Sequence, residues 1–277
     1  MAFKATDHIN DISLHYAREV AYPYGTRGRR LKFRMTSKFH KTLEACFQEL
    51  FGQCPLGKPE VITCAGTFVN KPGSHGRGAA FDFDAAFWPE YKMTTLDFPV
   101  DFELYLGIES YLRRHFGIVL NYLYNNAHKD HWHVDTSVTT GFSTKSRSKV
   151  IYLQMTLSYL YELDVVIDGI WGPQTRRALN ATADRLGITD PRTKSGWMKY
   201  LDLTGKVAFQ LFEPTKAPER LLNNVYDRLD EQPLAVRHAL RDALNSFRLH
   251  PVTDAWLSGQ RDDSDRLSAA IKAARKL

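Results

Sequence analysis

Two separated stretches, His75-Gly-Arg-Gly78-Ala-Ala80-Phe-Asp82 and Asp130-His-Trp-His133-Val-Asp135, constrain the fold of this chain more than any other feature. Zinc in a hydrolytic site takes three nitrogen or oxygen ligands from the protein and leaves a fourth position open for water, and His75, Asp82 and His133 make one such set. Asp130 adds a carboxylate able to accept a proton beside it. The expectation is a fold in which both stretches meet at one point. A lone histidine is more often a hydrogen-bonded core residue, and a lone aspartate a turn residue. Two such motifs, in order and within one domain length, outweigh that bland reading.

Local spacing agrees with the set. Gly76 and Gly78 permit a tight or positive-φ backbone after His75, and small Ala80 allows close packing before Asp82. Ala79 to Phe87 reads as a strand on which Asp82 and Asp84 share a face, so on this argument either aspartate can be the ligand. On a second strand His131, His133 and Asp135 point one way, while Asp130 approaches from the turn before it. Asp135 either orients a ligating histidine or bonds the backbone. His128 is assigned neither role.

These residues resemble the zinc D-alanyl-D-alanine peptidases, a family that includes the vancomycin-resistance dipeptidases, phage L-alanyl-D-glutamate endolysins and extensin-like C-terminal domains. The family pattern is Ser-x-His-x-x-Gly-x-Ala-x-Asp, followed by an acid three residues before a second histidine. His75, Gly78, Ala80 and Asp82 match the first element, and Asp130 and His133 match the second. The resemblance implies that His75, Asp82 and His133 ligate zinc, that Asp130 is the general base, and that His131 stands near the transition state, supporting a ligand or an oxyanion. Two departures are visible. Ser74 directly precedes His75, whereas the family serine is two residues before it, where this chain has Gly73. The stretch Val61 to Gly73 lacks the arginine that in the family holds a substrate carboxylate or carbonyl, which leaves Arg77, Arg27, Arg29 and Arg30 as candidates.

A second motif lies downstream: Leu153-Gln154, then Val166-Ile-Asp168-Gly169-Ile-Trp171-Gly172-Pro-Gln-Thr175-Arg-Arg-Ala178-Leu179. Residues 148 to 188 resemble the peptidoglycan-binding module, a small helical domain that reads Leu-Gln, a hydrophobic helix, then Val-Asp-Gly-x-x-Gly-x-x-Thr-x-x-Ala. Asp168-Gly169 is a turn pair, and Pro173 suits the first turn of a helix running through Ala178 and Leu186. Ile151, Met155, Tyr159 and Leu160 form the facing helix at spacings of three and four. Trp171 is either a packed loop aromatic or a contact to glycan or stem peptide.

At 277 residues, 43% hydrophobic and 25% charged, the chain is long enough for two cores. It has no run of 18 apolar residues, hence no membrane span, and its first eight residues lack the apolar core of a secretory signal. The expectation is synthesis in the cytoplasm without a signal peptide and action in the periplasm or cell wall, after lysis-pore release or injection. The net charge of +6 suits an anionic polymer, wall or nucleic acid alike. No groove-reading motif accompanies it, so no nucleic-acid partner is expected. Arg27 to Arg34 reads as an edge strand with a cationic face, solvated surface first and wall contact second. Cys46, Cys54 and Cys64 form no paired framework and are expected reduced, with a Cys46 to Cys54 bridge as the alternative in an oxidising periplasm.

The fold class expected is α+β: a small antiparallel-sheet zinc peptidase domain over residues 1–142, then an all-helical C-terminal region. That region comprises the peptidoglycan-binding module, 148–190, and a helical extension of unassigned role, 191–277, with Leu229, Leu234, Val236, Leu240, Leu244 and Phe247 in its pattern. Expected elements are a helix capped by Thr36 or Ser37 through Phe51, strands near 60–65 and 79–87, a helix at 101–116, strands at 118–124 and 132–136, and a linker at 141–148. Trp132, Trp88 and Tyr91 are candidates for cleft or core.

The activity expected is zinc-dependent cleavage of peptidoglycan stem peptides or cross-links. Asp130 in place of Glu points to L-Ala-D-Glu, and the His-Trp-His-Val-Asp run points to D,D-peptidases. The settings are a phage endolysin or a secreted antibacterial effector, with an immunity protein or secretion-machine component as further candidate partners. The rival expectation is a non-catalytic wall-binding protein with a structural zinc site.

Overall fold

The computed structural model describes residues 2–98 and 100–214. Strand β1 (Phe3–Thr6) is followed by β2 (His8–Ile9) and β3 (Ile12–Tyr16), which are joined through Asn10 and Asp11 at φ 48° and 63°. Two successive positive φ values define the tightest hairpin connection, and Asn and Asp tolerate them better than other residues with a Cβ. The basic stretch expected as one edge strand is divided. Arg29–Arg30 forms β4 against β3, and Phe33–Thr36 forms β5 against β1.

Thr36 caps α1 (Ser37–Gln53), its hydroxyl accepting from the Phe39 amide at 3.3 Å. Phe39, Leu43, Phe47 and Leu50 form the buried stripe that their spacing predicts. Next come β6 (Val61–Gly66), β7 (Ala80–Phe87), β8 (Lys92–Thr94), α2 (Phe102–His115), β9 (Ile118–Leu120) and β10 (Trp132–Asp135). The main sheet runs β2-β3-β6-β7-β10-β9, with β4 on β3 and β8 on β7. It is mostly antiparallel, and the exception corrects the expectation of a wholly antiparallel sheet: β3 and β6 are parallel. Parallel neighbours need a crossover, and α1 lies in the connection between them. The strand expected over 118–124 stops at Leu120, because the Asn121 side chain turns inward to Glu109 and its carbonyl accepts the Tyr124 amide at 3.0 Å.

After Asp135 the described residues contain helices and no strand: α3 (Arg147–Met155), continued by a π-helical turn over Thr156–Leu160, then α4 (Pro173–Leu186) and α5 (Lys194–Leu211). Pro173 opens α4 and a left-handed Gly187 ends it. Helix α3 begins within the stretch expected as a linker, and Ile151, Tyr152, Leu153 and Met155 share one apolar cluster with Phe81, Phe83 and Trp132 of the sheet. Helix α5 crosses α2 closely. Gly107 faces the ring of Phe209, which also stacks on Tyr111 with centroids 5.6 Å apart and planes 7° from parallel. A Cβ at Gly107 would enter that ring, so the crossing needs glycine there.

The described residues thus form an α+β fold with five α-helices, none long and apolar enough to cross a membrane. All three cysteines are free and buried, and burial pushes the Cys54 thiol up to about 12. The pattern from Leu229 to Phe247 lies outside the described residues.

Candidate metal centre

Strands β7 and β10 pair so that Asp82 stands directly across from His133, and Ala80 across from Asp135. The β6–β7 register slips at Cys64 and again before Gly66, the residue that faces Asp82. An irregularity of this kind re-aims side chains beside a site. His75 comes from the loop between β6 and β7. Gly78 holds that loop in place at φ 63°, where its carbonyl accepts the Thr36 amide at 2.9 Å and the Phe3 ring leaves no room for a side chain.

The hydrogen bonds fix which nitrogen each imidazole offers. His75 Nδ1 donates to the Thr67 carbonyl at 2.5 Å, which turns Nε2 toward Asp82 Oδ1 at 3.2 Å and His133 Nδ1 at 3.1 Å. His133 Nδ1 lies 2.8 Å from Asp82 Oδ1, and its Nε2 lies 3.3 Å from Asp135 Oδ2. Asp135 also accepts from the amide of Ser137 at 2.8 Å and from its hydroxyl at 2.6 Å, and it bonds Ser74. It therefore bonds both His133 and the backbone of the following turn, joining the two arrangements considered for it in the sequence. Ser74, displaced from the family position, supports that carboxylate.

His75, Asp82 and His133 together can hold a metal ion. A tetrahedral shell with bonds of about 2.0–2.1 Å spaces its ligand atoms about 3.3 Å apart, and the three pairwise separations here are 3.2, 3.1 and 2.8 Å. With the outer nitrogens occupied by Thr67 and Asp135, two imidazole lone pairs and a carboxylate face one another. Either a proton on His133 or a metal ion among them relieves the repulsion. The titration behaviour carries the same message. Burial works to lower the His133 pKa, but the hydrogen bonds it gives to Asp135 and Asp82, with their charges, raise it to about 9. Burial works to raise Asp82, and its bonds to His133 and His75 hold it well below the usual carboxylate range. The donor set fits a divalent ion.

Asp84, the other aspartate on that face, is fully buried and engaged elsewhere. Arg18 grips it with Nε on Oδ2 at 3.0 Å and Nη2 on Oδ1 at 2.8 Å. The same guanidinium pairs through Nη1 with Asp130 Oδ2, reaches the Asp130 carbonyl at 3.1 Å, and lies over the Tyr24 ring at 4.9 Å. Burial pushes the Asp84 carboxyl up, and Arg18 opposes that push. Arg18 was absent from the candidate arginines. Those four bond other groups, Arg27 with Glu60, Arg29 with Glu19, Arg30 with Asp7 and Arg77 with Ser74. No local sequence signal singles out Arg18, because its partners Asp84 and Asp130 lie 66 and 112 residues away along the chain.

Asp130 is half-buried. Burial works to raise its pKa, but the bonds from Arg18 and His131 prevail and lower it. His131 Nδ1 lies 2.8 Å from Asp130 Oδ1, and its Nε2 lies 3.8 Å from Asp82 Oδ1, so it bridges the acid to the ligand group without joining it. His128, given no role in the sequence, stands beside it with ring centroids 5.1 Å apart and Nδ1 on Asn125 Oδ1 at 2.7 Å. Burial, then the charges of His131 and His133, lower it to about 4. Trp132 and Trp88 are core residues, and Tyr91 is half-buried with its hydroxyl on Asp101.

In the helical part Gln154 is the organising side chain. Its Oε1 accepts the Gly169 amide at 2.8 Å, while Nε2 lies near Asp168 Oδ1 at 2.9 Å, the Ile170 carbonyl at 3.1 Å and Thr175 Oγ1 at 3.1 Å. The Gln, Asp-Gly and Thr positions of the motif thus clamp one loop. That loop leaves Val166 and Ile170 exposed, while Trp171 packs edge-on against Phe142 at 5.5 Å.

No family model matches the chain, and neither a similar curated protein nor a similar solved structure is found.

Proposed function

We propose that this chain is a zinc-dependent peptidoglycan peptidase that cleaves stem peptides or cross-links, and that residues 148–190 are its wall-binding module. The reading rests on the resemblance of both motifs. The observation that carries it is the convergence of His75 Nε2, Asp82 Oδ1 and His133 Nδ1, with Asp130 outside the ligand group yet tied to it through His131. Two imidazoles and one carboxylate are a zinc-type donor set.

When bound, zinc polarises a carbonyl and acidifies water to a pKa of about 7. Asp130, ionised at neutral pH, takes the proton of the attacking water and passes it to the leaving amine. Arg18, with Nε and Nη2 on Asp84 and Nη1 on Asp130, holds the Asp130 carboxylate in place beside the ligand group. His131 steadies the developing oxyanion. The bond is D,D or L-Ala-D-Glu, and the setting is a phage endolysin or a secreted effector that meets an immunity protein.

Asp130→Asn tests this reading. The variant is expected to retain zinc and to lose about 10²–10⁴-fold in the rate of muropeptide release from purified sacculi, followed by mass spectrometry that also names the bond. Undiminished hydrolysis removes Asp130 from the mechanism. Absence of hydrolysis by the wild type with wall binding intact leaves a binding protein with a structural metal.

A further inference from the structure

Trp132 directly precedes His133 on β10, so its side chain leaves the opposite face of the sheet from that of His133. In the core its indole Nε1 donates to Glu109 Oε2 at 3.1 Å. Glu109, wholly buried on α2, also accepts from Arg113 Nε at 2.8 Å and Asn121 Nδ2 at 2.9 Å. Arg113 is only 2% exposed, and its Nη2 reaches the Val119 carbonyl at 2.9 Å and the Ser148 carbonyl at 3.0 Å. The Ser148 hydroxyl bonds the same Val119 carbonyl, and Asn121 Nδ2 touches Met155 Sδ at 3.2 Å. Strand β9, which includes Val119, pairs with β10, and Leu120 stands opposite His133.

One buried carboxylate thus has polar ties to the strand that carries His133, to the neighbour of that strand and, through Arg113, to the first turn of α3. A buried ion pair is a weak source of net stability, because desolvation offsets most of its Coulomb gain and apolar replacements of similar volume are often neutral or better. What it does supply is direction. An indole N–H with a fixed acceptor sets both the rotation and the depth of its strand, and apolar contact alone sets neither so sharply.

We infer that Glu109 is a positioning residue for the metal strand, and that Arg113 makes the helical part a structural component of the metal centre rather than an appendage. Glu109 holds Trp132, and the strand then presents His133 to Asp82 in the register the metal requires. This rests on the metal-site reading above, since its effect is expressed through His133.

The experiment measures zinc dissociation constants by competition titration on the full chain, together with thermal midpoints of the metal-free protein and the visible spectrum of the Co²⁺-loaded form. Trp132→Phe keeps a ring and deletes the donor. It is expected to weaken zinc binding by about tenfold or more, the range found when groups behind metal ligands are removed, and to shift the Co²⁺ bands. Glu109→Gln is expected to do more and Ser148→Ala less. Thr204→Val, which deletes the buried bond of Thr204 to Tyr161 at 2.8 Å in the helical part, serves as the control that lowers the midpoint without moving zinc affinity. If Glu109→Gln does not fold, Trp132→Phe decides. An unchanged dissociation constant and Co²⁺ spectrum in Trp132→Phe, with a midpoint lowered as in Thr204→Val, would overturn the inference and leave the metal site standing. Failure of the wild type to bind zinc would remove the site and this inference with it.

Discussion

The ligand cluster around His133 and the loop clamp around Gln154 are both tight polar groups announced by sequence motifs, and their hydrogen-bond balance separates them. Around Gln154 donors and acceptors are matched in kind: one amide side chain takes from Gly169 and turns its two N–H donors on Asp168, Ile170 and Thr175. Such a group is complete and serves to hold a loop. Around His133 the outward nitrogens are spent on Thr67 and Asp135, and what remains inside is lone pairs and negative charge. That group takes up a proton on His133 in the metal-free chain, and the same inward atoms can hold a metal ion. A motif's residue types do not distinguish a fastening from a site, whereas the surplus of acceptors does.

The sharpest way to break the comparison is to remove a member of each group. Asp82→Ala is expected to weaken zinc binding by on the order of several hundredfold to a thousandfold, one ligand's share of the ~10–16 kcal/mol typical of structural zinc sites, read by isothermal titration. The metal-free protein should survive the change. Gln154→Ala should do the reverse. It loses about 2–4 kcal/mol of folding stability at roughly 1 kcal/mol per hydrogen bond, measured by urea unfolding, with zinc affinity unchanged. Should Gln154→Ala lower zinc affinity and spare stability, the two groups would not be the opposites drawn above.

A smaller effect comes from pH. In the folded metal-free chain His133 titrates at about 9 against an ordinary 6.5. Its raised value means that the proton stabilises the fold fully below pH 6.5, and that this contribution is lost as pH rises through about 9. The same proton competes with the metal, so zinc affinity should fall about tenfold for each unit that pH drops below 9. A flat affinity profile from pH 9 to 6.5 would show that His133 Nδ1 is not a ligand.

Much of the scaffold was legible because its signals are local. The Phe39, Leu43, Phe47, Leu50 stripe, the Thr36 cap and the Pro173 start each act within a few residues, and the helices lie where those signals put them. The three ligands were legible through type and spacing. Spacing alone left Asp82 and Asp84 open, because period two puts both on one face; the family resemblance chose Asp82, and in the fold Asp84 is taken up by Arg18 from a distant part of the chain. Glu109 was invisible for a related reason. On its helix it reads as a surface charge, and only the tertiary arrangement shows its carboxylate buried beneath Trp132. The parallel pairing of β3 with β6 was not legible, because β4, β5 and α1 lie between the two strands and only the tertiary fold sets their relative direction.

The α2–α5 crossing at Gly107 has a mechanical consequence. A cutting head on a flexible tether sweeps a volume around its foothold and can strike near or far. Here the ring of Phe209 is seated against a bare backbone, and the two halves are spliced. On the proposed function such a molecule works as a ruler: each grip on the polymer exposes bonds at one radius only, and progress along the wall requires letting go.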